Sequence, residues 1–245
     1  MRTLRRAIGG ATIAAILLAL GLMLLAMLRG RPQDLPWTQL DLGEPIGIFT
    51  GRKLAGLTHD FPRCRAPLDK AGVRYVILPE VRAPEVHAGA CGYADGVRFT
   101  PGGSRRASYA PADLGMACPV AAGLSVWEWN IVQPAARRLL GSPVVAIEHY
   151  GSYNCRHIAG EKIWSEHATA DAIDIAGFRL ANGKRITIAG DWKGNGPEAT
   201  FLHETRNGAC RLFATTLSPD YNAAHWNHLH LDQAARGEFG WRACR

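Results

Sequence analysis

The sequence contains no C-x-x-C pair, so it carries neither a cysteine zinc cluster nor a thioredoxin-type redox motif in the usual spacing. It has no internal repeat, and no low-complexity segment outside its first thirty residues. Solenoids and disordered tails are thereby excluded as its organising feature. It also lacks a run of like charge. The net charge is +7, but "MRTLRR" and "RGR" near the N-terminus hold five of the arginines and leave about +2 for the remainder. The basicity is therefore mainly topological and calls for no nucleic acid. From Ala7 to Leu28 charged residues are missing altogether.

That uncharged stretch, at about 1.5 Å per residue, is long enough for the roughly 30 Å hydrocarbon core of a bilayer. A cleaved secretory signal is the competing reading. Signal h-regions are shorter and end in a small-residue cleavage site, whereas this one ends in "LAMLRGRP". The expectation is an uncleaved signal-anchor: a basic cytoplasmic flank at 1–6, a membrane span at 7–28 and an exported remainder. The six cysteines, at 64, 91, 118, 155, 210 and 244, all fall in that remainder. Three disulfides formed in an oxidising compartment fit this distribution, against buried free thiols in a reduced protein. Among the 15 pairings that six cysteines allow, the sequence does not choose.

Residues 29–62 read as a linker or wrapping segment. Prolines 32, 36, 45 and 62 break any period, but Trp37, Leu40, Leu42, Ile46 and Ile48 are apolar enough to pack on a domain at 63–245. In that domain "CRAPLDKAGVRYVIL" predicts a short helix and a strand at 74–78, and "GVRFT" a second strand at 96–100. Residues 111–141 read as helix, with Met116, Val120, Leu124, Trp127, Ile131, Ala135 and Leu139 on one apolar face. Pro134 should bend or split it and Gly141 stop it. A strand at 143–156 running into a loop, two strands at 172–180 and 184–192 joined around Asn182-Gly183, a helix at 198–217 and a strand at 227–232 follow. The expected fold is α+β: a small, mainly antiparallel sheet with flanking helices, after an N-terminal transmembrane helix.

Nine histidines are present, and three of them crowd into "HWNHLHLD" at 225–232. Period-2 alternation puts His228 and His230 on one face of a strand, with Asp232 continuing it and His225 within reach from the preceding turn. Upstream, "SEHATADAID" holds His167 and Asp174 with six residues between them, enough for a loop to bring both side chains together. Imidazole nitrogen and carboxylate oxygen are good zinc ligands. Three protein ligands leave a position for water; four would close the site as a structural one. Histidines beyond the ligand set can move protons. Each motif alone is common by chance; together in an exported domain they point to a metal site.

"SEHATADAID" resembles the S-x-H-x-x-G-x-A-x-D motif of the zinc peptidase group that includes lysostaphin, the D-alanyl-D-alanine metallopeptidases and the hedgehog signalling domain. That group pairs the motif with a later H-x-H. Ala170 stands where that motif usually has Gly. "HWNHLH" is similar to the H-x-x-H-x-H end of the penicillin-insensitive murein endopeptidases. More broadly, "GSYNCR", "SEHATADAIDIAGF", "ACRLF", "YNAAHWNHLHLD" and the terminal "CR" resemble the bacterial extensin-like C-terminal family, from about Trp37 to the end. The resemblance implies that His167, Asp174 and His230 hold Zn²⁺. His228 would be the base or transition-state stabiliser, with His225 the other candidate for that proton work. Arg156 would bind a substrate carboxylate or a developing oxyanion, Ser165 would fix the His167 loop and Asp232 would orient a histidine. It implies a zinc peptidase at the periplasmic face of the inner membrane, with peptidoglycan peptides as substrate. The alternative is a non-catalytic wall-binding or scaffold protein with structural zinc. His149, His157 and His203 are read as structural or surface residues.

Overall fold

A computed structural model describes residues 2–58, 60–83, 90–236 and 241–245, without the side chains of 2–8, 27 and 28. The first helix, α1 (Arg2–Arg29), contains an 18-residue window, Gly9–Ala26, of mean hydropathy 2.3 with none of it buried in the protein. This helix could span a membrane, and a signal sequence meets the same description.

Residues after α1 wrap onto the domain. Leu42 is fully buried, Leu40 and Ile46 pack on the core at partial burial, and Trp37 and Ile48 stay exposed. A short helix α2 (Thr50–Ala55) adds Leu54 to the core. Helix α3 (Phe61–Lys70) starts where the Asp60 carboxylate accepts from the Arg63 N–H, with Pro62 in its first turn, where a missing N–H costs nothing.

Strand β1 (Val73–Ile77) follows, then a small two-stranded pair, β2 (Val81–Arg82) with β3 (Gly92–Tyr93). Strand β4 (Gly96–Gly103) pairs antiparallel with β1 and with β6 (Met116–Ala117), and β5 (Ser108–Ala110) lies between them in sequence. The predicted helix at 111–141 thus begins only at α4 (Cys118–Trp127). All ten residues of α4 are buried, so it is a central core helix and not one with a single apolar face. The helix widens into a π-turn at Glu128–Val132 and resumes as α5 (Gln133–Leu140), which ends at left-handed Gly141. The π-turn relieves the clash that Pro134 would make with the preceding turn of a regular helix.

The main sheet is built from β7 (Val144–Gly151), β8 (Ala172–Leu180), β9 (Arg185–Thr187), β10 (Thr215–Leu217), β11 (Leu229–Asp232) and β12 (Ala243–Cys244), together with β5. Its order is β12-β10-β11-β8-β7-β5, with β9 paired to β8. Among the described residues only β10·β12 and β5·β7 are parallel. The architecture is α+β and mainly antiparallel, though with more strands than the sequence reading named. The predicted strand at 184–192 ends at Thr187, whose side chain caps a helical turn, α6 (Ile188–Asp191). The predicted helix at 198–217 is α7 (Pro197–Ala209) only. Leu217 belongs to β10, because five residues past the helix the chain turns back to pair with β11.

Three disulfides join Cys64 to Cys118, Cys91 to Cys155 and Cys210 to Cys244. The first is fully buried and ties α3 to the start of the central helix. The second ties the loop after β7, which carries much of the site described next, to the β2–β3 region.

Candidate metal centre

The register of β8 against β11 places His230 directly opposite Asp174, so their side chains share one face of the sheet at contact distance. His167 reaches the same point from a 3₁₀ turn at Glu166–Thr169. Ser165 caps this turn by accepting from the His167 N–H, and Ala170 closes it at φ 60. This is the position where the resembling motif has Gly, and the left-handed backbone explains the preference for it. The Ala170 methyl is tolerated within a buried pocket.

The loop after β7 cradles this turn. Gly151, at φ 118, lets the chain leave the strand. The Ser152 carbonyl then accepts from Nδ1 of His167 at 2.6 Å, the Ser152 hydroxyl donates to the Ala170 carbonyl at 3.0 Å, and the Asn154 N–H donates to the His167 carbonyl at 2.8 Å. "GSYNC" is therefore the support of His167. Sequence reasoning missed Ser152 because its contribution to the ring is a backbone carbonyl, which any residue supplies.

Three ligand atoms converge. Nε2 of His167 lies 3.2 Å from Oδ1 of Asp174 and 3.1 Å from Nδ1 of His230, and that Nδ1 lies 3.1 Å from the same Oδ1. The far nitrogens are both committed. Nδ1 of His167 donates to a carbonyl, and Nε2 of His230 lies 3.0 Å from the Asp232 carboxylate. In neutral imidazoles the inward nitrogens are then bare lone pairs. With both rings neutral, two nitrogen lone pairs and a carboxylate oxygen thus face one another in a nearly buried site, a donor set that a metal ion could share. Their separations are close to the edge of a tetrahedron with bonds of about 2.0–2.1 Å, and the carbonyl and carboxylate behind the rings are the supports that metal-bound histidines use. Among the described residues this is the group that could hold a metal ion. A proton on His230 serves the same contacts: against its burial, Asp174 and Asp232 push His230 up to about 9, and against the burial of Asp174 the hydrogen bonds from His167 and His230 hold its carboxyl well below the usual range.

His228 sits just before β11, in the turn, and not on the strand itself. Its Nε2 is 3.5 Å from Oδ1 of Asp174, and its Nδ1 is 2.9 Å from the side-chain oxygen of Asn227. His225, in the 3₁₀ turn at Ala223–His225, places Nδ1 2.7 Å from the Asn222 side-chain oxygen and its ring 5.1 Å from that of His228. Each ring donates from Nδ1, and Nε2 of His228 is turned toward Oδ1 of Asp174. Burial, and then the neighbouring His228 and His230, push His225 down to about 4, and burial lowers His228 as well. Both are neutral at neutral pH and can accept a proton. Tyr150 packs edge-on to His228 and Tyr221 against His225. Arg156 is exposed, donates weakly to the His157 carbonyl at 3.5 Å, and reaches the two histidines only through its charge. Among the described residues the other histidines lie elsewhere: His149 is buried with Nε2 2.7 Å from the Pro111 carbonyl, His157 stacks on Trp164 and His203 lies tilted against Trp192.

Fold and site together define a disulfide-stapled α+β domain with a His–Asp–His group that could hold a metal ion. The family model for the extensin-like protein C-terminus matches residues 62–245, and the chain belongs to that family. The match begins at the end of the wrapping segment, later than the Trp37 from which the motif resemblance runs. Comparison with curated proteins and with solved structures found no match.

Proposed function

We propose that this protein is a zinc-dependent peptidase acting on the peptide stems or cross-links of bacterial peptidoglycan, held to the inner membrane by α1 with its domain in the periplasm. The observation that carries the reading is the convergence of His167, Asp174 and His230 lone pairs at 3.1–3.2 Å. Two nitrogens and one oxygen form a three-ligand set of the kind catalytic zinc sites use, with a position left open. Zn²⁺ held there supplies a Lewis acid, which acidifies water and polarises an amide carbonyl. His228, whose Nε2 is turned toward Asp174, would accept a proton from the attacking water and return it to the leaving amine. His225 stands behind His228 as a relay. No Glu occurs in the "HWNHLHLD" run, so a histidine takes the role that Glu plays in many metallopeptidases. Arg156 draws the carboxylate end of a peptide toward the site. Three disulfides suit the oxidising side of the membrane that α1 would place the domain on.

The test is elemental mass spectrometry on the full chain, followed by digestion of purified murein with and without chelator. About one zinc per chain, absent in His230→Ala, and chelator-sensitive release of peptide products are expected. Hydrolysis that persists in His230→Ala without bound metal refutes the proposal.

A further inference from the structure

A groove of about 480 Å³ runs along the open face of β7, β8 and β9, lined among others by Glu148, Tyr150, Ala176, Arg179, Arg185 and Thr187. It adjoins the metal centre at two points. Tyr150 lines the groove and also packs against His228. Ala176 lines it two residues along β8 from Asp174, on the same side of the strand.

At its far end lies a charge cluster that the proposed chemistry does not use. Glu148 is opposite Gly177 in the register and is only 9% exposed, while the Arg179 and Arg185 side chains are each 59% exposed. Arg179 donates from Nε to Glu148, and Arg185 binds it through Nε at 2.8 Å and Nη2 at 2.7 Å. Hydrogen bonds from Arg185 and then Arg179 keep the Glu148 carboxyl below its ordinary range, so it stays ionised. One carboxylate thus orients two guanidiniums and neutralises one of them. A net single positive charge remains, on two arginines that both line the groove.

We propose that this cluster is a substrate subsite for a carboxylate carried on the peptide, about three residues from the bond that meets the metal centre. The inference rests on the peptidase reading for the identity of the ligand. Its spacing follows from the strand: the register shift around Ala176 brings Gly177, three residues from Asp174, to the same face about 10 Å away, and an extended peptide covers that distance in about three residues. The charge selects the ligand. A planar guanidinium fork pairs with a carboxylate in two parallel hydrogen bonds, and one net positive charge matches one negative charge better than the two of a phosphate monoester.

The experiment uses the zinc-loaded full chain in detergent and two labelled synthetic peptides. They are identical except for a Glu or a Gln three residues from a central Ala–Ala bond. Fluorescence anisotropy gives both affinities, and chromatography of the same samples gives cleavage. The acidic peptide is expected to bind at least fivefold tighter. That preference should vanish in Arg179→Gln/Arg185→Gln, grow in Glu148→Gln, where the competing carboxylate is gone, and persist in His230→Ala. Equal affinities in the wild type, no binding of either peptide, a preference surviving in the double variant, or its loss in His230→Ala each overturn the subsite. Because Glu148→Gln predicts a gain, a double variant that fails to fold does not protect the proposal. Charge preference without any cleavage keeps the subsite and removes the peptidase reading; cleavage without preference does the reverse.

Discussion

Nε2 of His230 lies 3.0 Å from Oδ2 of Asp232, two residues along the same strand, and the other oxygen of Asp232 accepts from the Ala234 N–H at 3.1 Å. Asp232 therefore fixes the tautomer of His230 and is itself fixed by backbone. A carboxylate behind a metal-bound imidazole orients the ring and raises its basicity. Asp232→Ala is expected to weaken zinc binding by about 10–100-fold, measured by competition with a chromophoric chelator. Asp232→Asn, which can still accept a hydrogen bond, should fall between Ala and wild type. Unchanged affinity in Asp232→Ala would show that His230 needs no support from behind.

Asp171 precedes the β8 ligand by three residues and is 8% exposed, with Oδ1 buried and unpaired while Oδ2 accepts from Thr169. Burial, and then the nearby Asp95 and Glu166 carboxylates, push its carboxyl up to about 8. The unfolded chain releases this proton near pH 4, so between about pH 4 and 8 the folded state holds a proton that the unfolded state has lost. Its contribution to stability therefore falls as pH rises through that window and levels off above it. Asn carries no such penalty. Asp171→Asn should raise Tm little at pH 4 and progressively more toward pH 8, in calorimetry with chelator present in both samples. A gain that is flat with pH would mean that Asp171 is ionised throughout.

Much of the centre is legible in the sequence because strand periodicity and motif spacing are local. H-x-H at the head of a strand and His–x6–Asp at the head of another meet once the two strands pair, and the Asn182-Gly183 turn sets the β8–β9 hairpin. What stays hidden depends on the rest of the fold. Ser152 acts through a carbonyl, and Asp171 looks like any loop carboxylate until three others surround it. Strands of two or three residues, such as β6, β10 and β12, are too short to show a period. The central helix α4 is buried on every side, so its sequence resembles one face of an amphipathic helix extended all round. Disulfide partners are set by topology, which counting cysteines does not supply.

The three disulfides differ in access. Cys64 and Cys118 are fully buried, whereas Cys244 is exposed near the C-terminus and its partner Cys210 is partly so. Thiol–disulfide exchange needs a thiolate to reach a sulfur. Mild dithiothreitol under native conditions should open Cys210–Cys244 first and Cys64–Cys118 last, read by alkylation and peptide mass spectrometry. Replacing both Cys64 and Cys118 by Ala should cost about 4 kcal/mol, the loop-entropy figure for a closed loop of this order. Alkylation of Cys118 before Cys244 would contradict the burial of that bridge.

Glu128 opens the π-turn with no exposed surface, and its Oε1 accepts from the backbone N–H groups of Arg106 and Ala107 at 2.6 and 2.9 Å. Its other oxygen lies 3.5 Å from Nε of Arg105, whose side chain is 6% exposed and whose guanidinium lies 3.7 Å over the Phe99 ring. Glu128 thus pins the segment between β4 and β5 to the central helix, and it balances a buried charge. Removing it would strand one guanidinium and two N–H groups in the interior at once, whereas removing both charged partners strands much less. Glu128→Ala is expected to lose about 3–5 kcal/mol in urea unfolding. Glu128→Gln should lose less, since it keeps an acceptor for the backbone. Arg105→Met in the Glu128→Gln background should then recover part of the loss, because the unbalanced charge is gone. A Glu128→Ala loss below about 1 kcal/mol, the net worth of one ordinary hydrogen bond, would mean that water reaches Arg105 and that the pair is no part of the core.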